Sequence, residues 1–138
     1  MNSVKMYFIE GLRTSCYIDY IAGFRFGRNA TRKDYKAFID LYLEGYDSET
    51  IYHDLRCGIV HNYSEGGSYI FMDSLPDLHF YKSIGGIGKI CLNLENFISD
   101  IETATEKYFS ELVESDDLLA LAQKRMTETS ILRIQNHI

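Results

Sequence analysis

The sequence has no tryptophan and a single proline, Pro76. Proline removes a helical donor and clashes with the preceding turn, so a chain almost free of it can carry long uninterrupted helices. No apolar run approaches the ~20 residues of a membrane-spanning helix. Met1-Asn2-Ser3-Val4-Lys5 is not followed by the apolar stretch of a signal peptide. The three cysteines, Cys16, Cys57 and Cys91, are odd in number and nowhere form a CxxC pair. That speaks against a disulfide framework and for a reducing compartment. The expected location is the cytoplasm, away from membranes. An excess of basic charge is also missing: the net charge is -6, which excludes a nonspecific polyanion binder at the level of the whole chain.

What is present is an ordinary share of hydrophobic and charged residues, 46% and 25%, with eleven tyrosines and eight phenylalanines supplying the bulk. A chain of 138 residues fits one domain, here 1–138, and buries a core without metal or disulfide staples. The charge is uneven. Residues 1–36 hold seven Lys and Arg against three acids, and the remainder holds seven against seventeen. The basic stretch includes Arg25 and Arg28, interleaved with Phe24 and Phe26, the pairing of cations with aromatic rings that suits a nucleic-acid contact.

Apolar spacing predicts the elements. Residues 4–27 read as one helix with Ile9, Leu12, Cys16, Tyr20 and Phe24 on its buried face, and Gly23 and Gly27 weakening its end. Thr31 and Asp34 have the form of a capping box opening a helix through Leu43, with Phe38, Leu41 and Tyr42 toward the core, stopped by Gly45. Ser48 is the expected cap of a third helix over 49–63. Residues 68–72 and 89–92 read as two short strands or an extended excursion around Pro76 and Gly85-Gly86-Ile87-Gly88. Asn93 is expected to cap a helix to about Glu114, with Leu94, Phe97, Ile98, Ile101, Thr105, Tyr108, Phe109 and Leu112 at helical spacing. Asp116 is expected to cap a fifth helix, 117 to about 129. Four or five amphipathic helices of this length pack as a bundle.

The sharpest string is Leu55-Arg56-Cys57-Gly58-Ile59-Val60-His61-Asn62-Tyr63. Its Arg-x4-His-x-Tyr pattern resembles the signature of the HEPN superfamily, and the tyrosine is similar to the longer motif of HepT-type toxins. Cys57 departs from the polar residue that often follows the arginine in that family. The resemblance implies a mainly α, up-and-down bundle of four to five helices, here with a short extended or β-hairpin excursion at about 66–92. It further implies a homodimeric, metal-independent endoribonuclease of a toxin–antitoxin or abortive-infection defence system. Its partners would be RNA or a nucleotide and an antitoxin protein, with no cofactor. Arg56 and His61 would be catalytic, with Asn62 and Tyr63 binding substrate beside Arg25 and Arg28. The alternatives are a noncatalytic nucleotide- or RNA-binding module and a structural or regulatory dimer.

The chemistry fits those residue types. A histidine exchanges protons near neutral pH, and an arginine offers a permanently charged planar fork to phosphate oxygens. Five residues are about 7.5 Å of rise and about 140° of turn, so Arg56 and His61 do not share a face of one ideal helix. They would converge through a distortion near Gly58 or across a twofold axis. His53, Cys57 and His61 form a stripe at steps of four that spans about 12 Å, too long for one metal ion to use all three. Gly85-Gly86-Ile87-Gly88-Lys89 lacks the order of a phosphate loop and reads as a turn.

Overall fold

The computed structural model describes residues 3–53, 69–72, 76–84 and 89–136. The protein is a mainly helical bundle. Helix α1 spans Ser3–Phe26, α2 Arg32–Tyr42 and α3 Ser48–Ile51. Strands β1 (Tyr69–Met72), β2 (Lys82–Ile84) and β3 (Lys89–Asn93) follow, then α4 (Leu94–Glu114) and α5 (Asp116–Asn136). Helix α1 packs against α2, α4 and α5. Gly23 faces Arg125 and Gly27 faces Leu121, so α1 and α5 run antiparallel.

Of the expected buried face of α1, Phe24 packs against the core, the side chains of Ile9 and Leu12 lie outside the described ones, and Cys16 and Tyr20 turn outward. Thr14, Ser15, Ile18, Ile21 and Ala22 are buried, whereas Cys16 is exposed and Tyr20 is 63% exposed. The small Ser15 lets the Tyr35 ring of α2 close in, with the two hydroxyls 3.2 Å apart. Tyr20 instead stacks edge-on against Phe24 at 5.0 Å. An aromatic residue counts as apolar in a periodicity, yet it can lie along the surface with its hydroxyl in water.

The capping box of α2 is present: Thr31 Oγ1 accepts from the Asp34 amide, and Asp34 Oδ2 accepts from the Thr31 amide, each at 3.2 Å. Asp34, Tyr35, Phe38, Ile39 and Tyr42 face inward. Leu41, expected in the core, is 49% exposed; its place is taken by Ile39 at 0%. Gly45 has φ +86°, the left-handed turn that follows the helix end. The cap of α3 is Asp47 rather than Ser48. Asp47 accepts from the Glu49 amide at 3.2 Å and from the Thr50 hydroxyl at 2.8 Å, and Ser48 is the first, buried, helical residue. A wider π-type turn follows at Tyr52 and His53. The expected continuation through 63 lies outside the described residues.

The excursion is a three-stranded sheet in the order β1-β3-β2, one strand more than expected. Strand β1 runs parallel to β3, with Ile70 opposite Cys91, and β2 is antiparallel to β3. Asn93 stands at the start of α4 without a side-chain cap bond. Phe97, Ile101 and Tyr108 are buried from that helix, while Phe109 is 49% exposed. Ser115, not Asp116, caps α5: its hydroxyl accepts from the Leu118 amide at 3.2 Å. That helix runs to Asn136, past the expected end near 129. Ile18, Phe38, Ile39, Leu92, Phe97, Ile101 and Tyr108 form one core shared by α1, α2, α4 and β3.

Candidate functional site

Arg56, His61, Asn62 and Tyr63 lie outside the described residues. Of the expected site residues, Arg25 and Arg28 are placed at the junction of α1 and α2. Arg25 Nε donates to the Tyr42 hydroxyl at 2.9 Å, and its guanidinium lies 4.9 Å from the Phe26 ring centre. Tyr42 in turn donates to Glu111 of α4 at 2.6 Å. Burial and the Glu111 carboxylate raise the Tyr42 pKa, so the hydroxyl keeps its proton and the chain of bonds holds. Arg28 forks onto Asp34, but 58% of its side chain remains exposed. Both arginines thus have structural partners, and Arg28 keeps donor surface facing water.

A second constellation was not expected from the sequence. His79 follows the short 3-10 turn Pro76–Leu78 and is tied on both ring nitrogens. The Asn93 amide donates to Nδ1 at 3.0 Å, which fixes the proton of the neutral ring on Nε2. Nε2 then donates to the Tyr46 hydroxyl at 2.9 Å, and Tyr46 donates to Asp100 Oδ2 at 2.6 Å. Burial lowers the His79 pKa, and Asp100 offsets part of that. The result is a directed chain from a backbone amide, through imidazole and phenol, to a carboxylate on α4. His79 and Asp100 lie 33 and 54 residues from Tyr46 in sequence. No local spacing signals them; only the tertiary fold assembles them.

Asp100 opens onto a cleft of about 630 Å³ between the end of α2 and α4. Asp40, Leu41, Glu44, Thr103 and Lys107 also line it. A second cleft of about 470 Å³ lies along the start of α2 and is lined by Arg32, Lys33, Lys36, Ala37 and Asp40. Asp40 belongs to both, so the two form one track along the outer side of α2. Arg32 and Lys36, one turn apart, both grip Glu49 of α3, which holds that carboxyl below its usual range. Among the described residues no group of three or more His, Cys, Asp or Glu is placed to hold a metal ion. Nor is any helix among them long and apolar enough to cross a membrane.

No family model, curated protein or solved structure matches the chain.

Proposed function

We propose that the chain is a metal-independent endoribonuclease of HEPN type, of the toxin or abortive-infection kind, with Arg56 and His61 from two copies lining one cleft. The observation that carries this reading is the Arg56-x4-His61-x-Tyr63 string, which follows in sequence the described part of a third helix, opening at Ser48, in a mainly helical bundle. His61 would move the proton of the attacking 2′-hydroxyl, and Arg56 would stabilise the charge gathering on the phosphate. Asn62 and Tyr63 would hold the substrate beside them. The exposed part of the Arg28 guanidinium is a supplementary contact for the phosphate backbone.

Incubating the purified chain with RNA in the presence of EDTA tests this. Wild-type protein is expected to cleave, and His61→Ala and Arg56→Ala are each expected to lose at least ~100-fold of the rate, the usual share of a proton-transfer group. Circular dichroism checks that the variants keep the fold. Unchanged cleavage by His61→Ala overturns the reading. RNA binding by wild type without turnover replaces it with a noncatalytic binding module.

A further inference from the structure

The track along α2 is bipolar. At its start stand Arg32, Lys33 and Lys36, with Glu49 gripped by Arg32 and Lys36, which leaves two positive charges in excess before Asp40, shared by both clefts, is counted with the other end. At its end Asp40, Glu44 and Asp100 face the single ammonium of Lys107, which leaves two negative charges in excess. Between the two ends sits Ala37, the smallest side chain on the track. Leu41 beside it is 49% exposed. Arg32 keeps 60% of its side chain exposed and Asp100 45%, so both ends are open to a partner.

A surface whose charge reverses about a small central residue is complementary to itself. Turned by a twofold axis through Ala37, the basic end of one copy meets the acidic end of the other. In that antiparallel register Lys33 of each copy falls opposite Leu41 and between Asp40 and Glu44 of the other. Ala37 on the axis lets the two helices approach, as small residues at a helix crossing do. The pairing is isologous, the commonest closed arrangement of identical chains, so every favourable contact occurs twice. An RNA strand fits this surface less well. Its uniform negative charge would meet the carboxylates of Asp40, Glu44 and Asp100 at the acidic end.

We infer that the outer face of α2 is a self-association surface, on which two copies of this chain pair antiparallel about Ala37. The surface argument stands on the charges alone. It also deepens the proposed function, which needs two copies to bring Arg56 and His61 together, and in that respect it rests on the ribonuclease reading.

Analytical ultracentrifugation of the full chain and of two variants tests it. The basic-end variant is Lys33→Glu, which leaves the Arg32 and Lys36 grip on Glu49 intact. The acidic-end variant is Asp40→Lys with Glu44→Lys. Wild type is expected to sediment as a dimer at micromolar concentration. Each variant alone is expected to dissociate with a dimer Kd at least ~10-fold higher, since like charges then oppose each other at both symmetry-related contacts. An equimolar mixture of the two is expected to recover a dimer, because in the mixed pair one contact is native and the other has its charges exchanged, so both join opposite charges. Circular dichroism confirms that both variants fold, and Ala37→Arg, which puts two guanidinium groups on the axis, gives an independent disruption. A monomeric wild type, or a dimer that none of the variants weakens, overturns the inference. RNA cleavage measured on the same samples keeps the two ideas apart: a wild-type dimer unaffected by the α2 variants but inactivated by His61→Ala removes this surface and leaves the ribonuclease standing.

Discussion

Asp34, with 3% of its side chain exposed, is held at both carboxylate oxygens by Arg28, Oδ2 at 2.9 Å from Nε and Oδ1 at 2.7 Å from Nη2. The same carboxylate accepts the Thr31 amide, so one group closes the turn between α1 and α2 and caps α2. The Arg28 bonds hold the Asp34 pKa at about 2, below its ordinary 3.8, despite the opposing effect of burial. A carboxyl depressed in the folded state adds stability that is present above its unfolded pKa and is lost as pH falls through the folded one. The loss here falls between about pH 4 and pH 2. The shift corresponds to about 1–2 kcal/mol once water screening of the exposed Arg28 is allowed for. Asp34→Asn is expected to lower urea stability by that amount at pH 7 and by almost nothing at pH 2. Equal losses at both pH values would show that the charge contributes nothing.

This corner was legible before any fold was known, because a capping box is written in three consecutive peptide units, Thr31 to Asp34. The helices were legible for the same reason: few prolines and apolar residues at steps of three and four. The faces were less so. Leu41 and Ile39 are equally apolar as sequence, but Ile39 is buried with Tyr35 and Leu41 is not, since burial is decided by which side meets α1 and α4. The third strand, Lys82–Ile84, has no alternating pattern and exists because β3 offers it a partner. Likewise His79 gains its role from Tyr46 and Asp100, on other elements, and nothing next to it in sequence announces that. The Arg56–His61 motif lies outside the described residues and stands on the sequence alone.

Protonation of His79 is expected to loosen the junction it ties. Nδ1 accepts the Asn93 amide, so a proton placed there sets two donors against each other. Burial lowers the His79 pKa below its ordinary 6.5. The unfolded chain therefore takes up the proton first, and stability that is complete above about pH 6.5 declines as pH falls from there toward the folded pKa. His79→Asn retains an acceptor near the Nδ1 position and does not titrate. Urea midpoints at pH 7.5 and pH 5 should differ more for wild type than for His79→Asn. The same difference in both proteins would assign the pH effect elsewhere.

Two buried tyrosines should respond oppositely to the loss of a hydroxyl. Tyr46 Oη joins His79 to Asp100, and Tyr46→Phe leaves both partners short of a bond. A cost of about 1–2 kcal/mol is expected. Tyr108 is 1% exposed, and its hydroxyl has no hydrogen-bond partner among the described residues. Tyr108→Phe removes an unpaired buried polar group while keeping the ring against Tyr42, whose centre is 6.1 Å away. It is expected to be neutral or to raise the melting temperature. Destabilisation by more than about 1 kcal/mol would mean that this hydroxyl has a partner after all.

Gly27 ends α1 at φ +72°, in the left-handed region that costs other residues about 1–2 kcal/mol. Its amide still reaches the Gly23 carbonyl at 2.9 Å, so the helix closes on its own last turn before the chain reverses toward Thr31. A Cβ built here would stand 2.8 Å from Leu121 Cδ2 and 3.1 Å from the Leu121 carbonyl oxygen of α5. The side chain can swing aside; the carbonyl belongs to a helix backbone and cannot move without shifting α5. Gly27→Ala therefore combines strain at φ with a steric push between α1 and α5, and about 2–4 kcal/mol of destabilisation is expected. Leu121→Ala in the same background relieves only the side-chain part of the clash, so it should not restore the wild-type melting temperature. Full restoration by Leu121→Ala would show that the positive φ carries no cost and that the close approach of the two helices is adjustable.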